Sequence, residues 1–151
     1  MRQAIPADID RLVALMTGFY LEAGFTLNLQ RARSAFSRLL GNESLGCVWM
    51  IEQGSADVGY VALTLVFCLE YGGICGFVDD LYIEPRARGF GLARAAIAEL
   101  RRHAESHGLR SLRVETASDN APAVATYRGA GLRETGRQLL ALELATPTHA
   151  G

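Results

Sequence analysis

Asp79-Asp80-Leu81-Tyr82-Ile83-Glu84-Pro85-Arg86-Ala87-Arg88-Gly89-Phe90-Gly91-Leu92-Ala93 reads as a strand that stops at Pro85, a turn rich in glycine and arginine, and the opening of a helix. Glycine lets backbone N–H groups approach a ligand closely. A helix N-terminus adds unpaired N–H donors and roughly half a positive charge. Phosphate groups suit such a place, with Arg86, Arg88 and Arg94 as further charge. The dinucleotide fingerprint G-x-G-x-x-G is absent, because Arg94 stands where its third glycine belongs.

Upstream of this stretch, Pro6-Ala7-Asp8 opens a helix in which Ile9, Leu12, Val13 and Met16 recur at helical spacing, and Gly24 ends it. A second helix is expected from about Leu29 to Leu40, with Ala32, Ala35, Phe36 and Leu39 on one face. The period then changes. Cys47–Ile51 is a compact apolar strand, and Gly54-Ser55 its turn. Val58–Leu69 is apolar at almost every position, as a strand buried on both faces would be. After Gly72-Gly73 comes the strand Ile74–Glu84. Downstream, Gly89–His107 reads as a helix with Gly108 past its end, and Ser111–Thr116 as an alternating strand. Ala121–Gly129 follows as a helix, then Leu132–Thr135 and Gln138–Leu144 as the last strands. Helices interleaved with strands indicate an α/β architecture, a mixed sheet covered by helices.

The 151 residues suit one domain, expected over residues 1–145, with 146–151 as a short tail. A chain of this length buries about 68–70% of its unfolded surface without help from disulfides or metal. There is no lysine among the 15 basic residues. This excludes the ATPase phosphate-loop lysine, the kinase strand lysine and Schiff-base chemistry. A formal net charge of −1 argues against bulk binding of nucleic acid. No apolar run reaches membrane-spanning length, and the N-terminus is unlike a signal peptide, so a cytoplasmic protein is expected, with no membrane partner. Cys47, Cys68 and Cys75 have no paired spacing and read as small hydrophobes in a reducing compartment. His103 and His107 stand i, i+4 but lack a third ligand, so no metal is expected, and Trp49 reads as core.

Two motifs carry a resemblance. Arg88-Gly89-Phe90-Gly91-Leu92-Ala93 fits Q/R-x-x-G-x-G/A, as does Arg86 to Gly91. Asn120, Ala123, Tyr127 and Gly131 fit N-x-x-A-x-x-x-Y-x-x-x-G. With these motifs and its element order, the chain resembles the GNAT superfamily of acetyl-CoA-dependent N-acetyltransferases. The resemblance implies a GNAT-type fold, a central mixed sheet of six or seven strands flanked by about four helices. It implies acetyl-CoA as co-substrate, an amine acceptor and, as is common in the superfamily, a homodimer.

By the same resemblance, the pantetheine arm would lie between splayed strands, along Leu81, Tyr82 and Ile83, with the Ile83 N–H toward the thioester carbonyl. The pyrophosphate would sit on the N–H groups of Arg88 to Ala93, near Arg94, with Asn120 and Ala123 completing the donor site. Tyr127 falls on the family's tyrosine and would serve the departing thiolate as acid. An alkyl ammonium, with a pKa of about 10.4, must lose a proton before it attacks. Asp79 is the first candidate base or amine anchor, because alternation puts it on the face of Leu81 and Ile83. Spermidine/spermine N-acetyltransferases carry an acidic residue at this position, though one methylene longer. Asp80 is the second candidate base and Glu115, on the neighbouring strand, the third. Phe19, Tyr20 and Glu22, and the loop Glu70–Gly73, are candidates for the acceptor pocket. The expected reaction is direct acetyl transfer to a primary amine, a small acceptor being favoured. A protein N-terminal acetyltransferase and a non-catalytic acyl-CoA-binding module are the alternatives.

Overall fold

The computed structural model describes residues 1–117 and 119–144, so the expected tail, 146–151, lies outside the described residues. The chain runs β1 (Arg2–Gln3), α1 (Ile9–Ala23), α2 (Leu29–Leu40), β2 (Gly46–Gln53), β3 (Ala56–Cys68), β4 (Gly73–Ile83), α3 (Leu92–Ser106), β5 (Leu112–Val114) and α4 (Ala121–Gly129). The strands form one sheet in the order β1-β2-β3-β4-β5, antiparallel except for the parallel pair β4–β5.

Alternation along the central strands splits the core in two. Val48, Met50, Tyr60 and Ala62 face one side of the sheet, where Leu12 and Leu15 of α1 and Phe36 of α2 cover them. Trp49, Ile51, Val61 and Leu63 face the other, under Ala96, Ile97 and Leu100 of α3. This is why β3 is apolar at successive positions over Val58–Leu63, where both faces are buried; Val66, Phe67 and Leu69 are exposed, against the expectation for the whole run. Each fully buried leucine contributes about 1.5–3 kcal/mol relative to exposure. The edge-on contact of Phe36 with Tyr60 (5.8 Å) locks α2 onto the sheet, and that of His103 with Trp49 (4.8 Å) does the same for α3.

Several features differ from expectation. The described sheet has five strands rather than six or seven. The two-residue β1 has too little pattern to read, and is recruited by pairing with Trp49 and Met50. β5 is confined to Leu112–Val114, and α3 begins at Leu92 rather than Gly89. No strand forms at Leu132–Thr135 or Gln138–Leu144, where Leu139, Leu140, Leu142 and Leu144 are 68–89% exposed. An alternating sequence becomes a strand only where a partner ladder receives it, and β5 is three residues long. The segment is tied down through Arg137, whose guanidinium donates to both carboxylate oxygens of Glu70 at 2.7 and 2.9 Å.

Candidate functional site

β4 and β5 pair only at Gly76–Val78 against Leu112–Val114 and then part. Beyond the point where they part, a cavity of about 590 Å³ lies against the end of β4, within the usual range for small-molecule sites. Its wall includes Leu81, Tyr82 and Ile83 of β4, Arg88, Gly89 and Gly91 of the turn, Leu92, Ala93 and Arg94 of α3, and Asn120, Ala123 and Tyr127 of α4. Two motifs separated in sequence thus meet in one space. Phe90 does not line it, and its side chain is 68% exposed.

The backbone explains why this wall is receptive. The N–H of Glu84 donates to the carbonyl of Val58 at 2.8 Å. Strand alternation therefore turns the N–H and C=O of Ile83 to the opposite edge, toward the gap. There the carbonyl accepts from Arg88 Nε at 2.8 Å, and the N–H has no acceptor among the described residues. At the turn, Gly89 and Gly91 hold φ of +84° and +76°, a region that side chains disfavour. Gly91 is the N-cap of α3. The N–H groups of Gly89, Gly91, Leu92, Ala93 and Arg94 likewise lack an acceptor among the described residues. A row of free amides at a helix N-terminus is an anion cradle.

Arg88 is committed within the protein. Its guanidinium reaches Glu22 Oε2 of α1 at 2.6 Å and lies 5.6 Å from the centre of the Tyr82 ring. The Tyr82 hydroxyl donates to Glu22 Oε1 at 2.9 Å. Both oxygens of Glu22, an acceptor-site candidate, are therefore engaged in a clasp joining α1, β4 and the glycine turn. Because Glu22 neutralises Arg88 beside the cradle, Glu22→Gln should tighten acetyl-CoA binding about two- to five-fold at low salt, an advantage that fades at high ionic strength. Stability should fall by less than about 1 kcal/mol, since the pair is partly exposed. Calorimetric titration at two salt concentrations checks this, and weaker binding would mean that the clasp shapes the cradle instead.

The two aspartates depart from the expected alternation. Leu63 pairs with Val78 and Ala62 with Asp80, so Asp79 is the extra residue of a β-bulge. Val78, Leu81 and Ile83 all pack toward α3, whereas Asp80 accepts from the hydroxyl of Tyr60, on the α1 side, at 2.7 Å. Asp79 therefore does not share the face of Leu81 and Ile83 by simple alternation; burial first, and then the charges of the two carboxylates, raise the hydroxyl pKa values of Tyr20 and Tyr60. Asp79 is exposed, and partial desolvation raises its carboxyl. Burial raises that of Asp80 and the charge of Asp79 adds to this, against the lowering effect of the Tyr60 bond. Neither aspartate has an ion-pair partner among the described residues. Burial, with a smaller effect from Asp80, raises the Tyr127 hydroxyl. Neither Asp79 nor Asp80 lines the cavity.

Other candidates sit elsewhere. Tyr20 is outside the lining but touches Phe19, which lines it, at 5.8 Å between ring centres. Glu115 is exposed beyond the end of β5 and does not line the cavity. Glu70 is paired with Arg137, and Tyr71 lies 5.0 Å from the Arg113 guanidinium, so this loop too is outside the lining. Asn120 lines the cavity while capping α4, its Oδ1 accepting from the N–H of Ala123 at 3.2 Å. Sequence reading missed Thr126 and Pro122 on the α4 wall; their spacing from Tyr127 and Ala123 on one helix was the available signal. Among the described residues no three metal-ligating side chains converge, and no helix is long and apolar enough to cross a membrane.

A splayed β4–β5 pair with an anion cradle at its end defines an acyl-carrier-binding α/β protein. The chain belongs to the GNAT acetyltransferases: the family model described as Acetyltransferase (GNAT) family matches residues 10–132. It is similar to the aminoglycoside N(6')-acetyltransferase type 1 of Stenotrophomonas maltophilia, with 26% identity over 91% of this chain and 88% of that protein. An integron cassette protein from the mobile metagenome of Cole Harbour Salt Marsh shares 45% identity and superposes with a TM-score of 0.88, covering 97% of this chain and 91% of the other. A predicted acetyltransferase of Clostridium acetobutylicum, solved with acetyl-CoA, shares the fold at 21% identity and a TM-score of 0.79, over 93% and 94% of the two chains. The protein is accordingly an acyltransferase of the acetyl-CoA-dependent N-acetylating type, and the free amides and glycine turn of its cavity fit that donor.

Proposed function

We propose that this enzyme acetylates a primary amine of a small cationic acceptor by direct attack. The carrying observation is a single cavity whose wall joins the free amides of the cradle, the backbone of Ile83 and Tyr127, with Asp80 one residue before the lining residue Leu81 on β4. Acetyl-CoA supplies the activated acetyl group. The Gly89–Arg94 amides hold its phosphates, and the Ile83 N–H stabilises charge developing on the carbonyl oxygen. Asp80 takes the proton of the incoming ammonium, directly or through water. The lining holds no cysteine or serine, which supports direct transfer over a covalent acetyl-enzyme. Two carboxylates without cationic partners favour a cationic acceptor, as does the similarity to an aminoglycoside acetyltransferase.

The raised Tyr127 refines its part. A thiol has an ordinary pKa of about 8.5, below that of any tyrosine, so full proton transfer to the leaving sulfur is uphill. Tyr127 acts by donating a hydrogen bond to the thiolate. Such a bond to a charged group is worth about 1.5–3 kcal/mol, so Tyr127→Phe should lower kcat about 10- to 150-fold. The ring is kept, and acetyl-CoA affinity should change little. The test is thiol release from acetyl-CoA with a panel of polyamines, aminoglycosides and peptides, for the parent and this variant. Turnover on small amines, lost in Tyr127→Phe, supports the reading. Turnover on peptides alone would make it an N-terminal acetyltransferase, and binding without any turnover a carrier module.

A further inference from the structure

We propose that Cys68 and Cys75 form a redox pair, closing to an intramolecular disulfide under hydroperoxide oxidants. Nothing in acetyl transfer uses them, and neither lines the donor cavity. In the β3–β4 ladder Val66 is the cross-strand partner of Cys75. Cys68, two residues on, shares its face. The Cys68 sulfur leans back to 3.9 Å from the carbonyl of Val66, which brings it to the level of Cys75. The two thiols are near enough for each to shift the titration of the other.

The surroundings favour one thiolate. Burial opposes ionisation of Cys75, yet the Ser111 hydroxyl, the Cys68 thiol and the Arg113 guanidinium together bring it below the ordinary thiol value. The Ser111 Oγ is buried and has no hydrogen-bond partner among the described residues. Cys75 has no solvent exposure, whereas Cys68 is partly exposed and is the sulfur that an oxidant reaches, although its interaction with Cys75 and partial desolvation hold its own thiol above the ordinary value. Cys47 is the contrast: burial, with help from Glu43, pushes its thiol up to about 11.

The chemistry balances with the hydroperoxide as two-electron oxidant. With hydrogen peroxide, the Cys68 sulfur attacks one oxygen, the O–O bond breaks, and the thiol proton leaves with the departing hydroxide as water, giving sulfenic acid; an organic hydroperoxide releases its alcohol instead. The Cys75 sulfur then attacks the sulfenic sulfur, the S–O bond breaks, and a second water leaves as the S–S bond forms. Diagonal strand neighbours stand somewhat farther apart than a disulfide prefers. Cys68 is the last residue of β3, however, before the exposed turn Leu69–Tyr71, so closure is absorbed there.

The test oxidises the full-length protein with hydrogen peroxide, alkylates the remaining thiols and digests after glutamate without reductant. Cleavage after Glu52, Glu70 and Glu99, the bond before Pro85 being resistant, separates the peptides 53–70 and 71–99. These should run joined, with one alkylated thiol left at Cys47, and separate on reduction. Cys47→Ser should link as the parent does, and Cys68→Ser should not link. Linking should be at least about tenfold faster in the native protein than in urea, as expected of sulfurs held together by the fold. A link to Cys47, over-oxidation of Cys68 without a link, or equal native and unfolded rates would overturn the proposal.

Discussion

Gly91→Val should weaken acetyl-CoA binding about 10²- to 10⁴-fold while leaving a folded protein. Gly91 caps α3 at a φ of +76°, with nothing within 4 Å of an added Cβ. The defect is therefore conformational rather than a clash. A β-branched residue avoids positive φ at a cost of about 1–3 kcal/mol, and the turn relieves it by re-aiming its peptide groups. Each amide lost to a charged phosphate oxygen forfeits about 1.5–3 kcal/mol, and the turn presents several. A matched control separates strain from recognition. Gly108 follows the other end of the same helix at a φ of +68°, equally uncrowded. Gly108→Val should lose comparable thermal stability and keep donor affinity. Equal donor affinity in both variants would show that the phosphates bind elsewhere.

The ease with which this turn could be read has a physical cause. A cradle built from backbone amides demands glycine at particular φ values and a helix start just beyond, and both leave their mark in a short contiguous run. The Asn120–Gly131 motif is legible for the same reason, since capping, packing and lining are all met within one helix. Helix ends were similarly plain: α2 begins at Leu29 and ends at Leu40 as read, with Asn28 as its side-chain cap. Features that depend on a partner were not legible. The bulge at Asp79 arises from the register of β3 against β4 and inverts the reading of faces that strict alternation gives. Glu22 reads as a free carboxylate until α1 is laid against Tyr82 and Arg88. The leucines of 138–144 alternate as a strand would, but the three residues of β5 provide no ladder for them.

Asp80→Asn should lower kcat about 10²- to 10⁴-fold, the range for loss of a positioned proton acceptor, whereas Asp79→Asn should act mainly on acceptor KM. Asparagine retains the shape of aspartate and can still accept from the Tyr60 hydroxyl, now 2.7 Å from the carboxylate, so the fold should be undisturbed. A carboxylate at its ordinary pKa of about 3.9 is a poor match for an ammonium near 10.4. Burial of Asp80 next to Asp79 narrows that gap from the acid side. Both carboxylates attract a cation, but Asp80 is the more buried and is held in place by the Tyr60 hydroxyl, whereas Asp79 is exposed. The pH profile gives an independent reading. A base must be ionised to work, so kcat/KM rises as pH passes through the Asp80 pKa. The Tyr60 hydrogen bond lowers that pKa; Tyr60→Phe removes the bond and should move the acidic limb to higher pH. An unmoved limb, or a collapse of kcat in Asp79→Asn with Asp80→Asn still active, would transfer the proton-accepting role to the bulge residue.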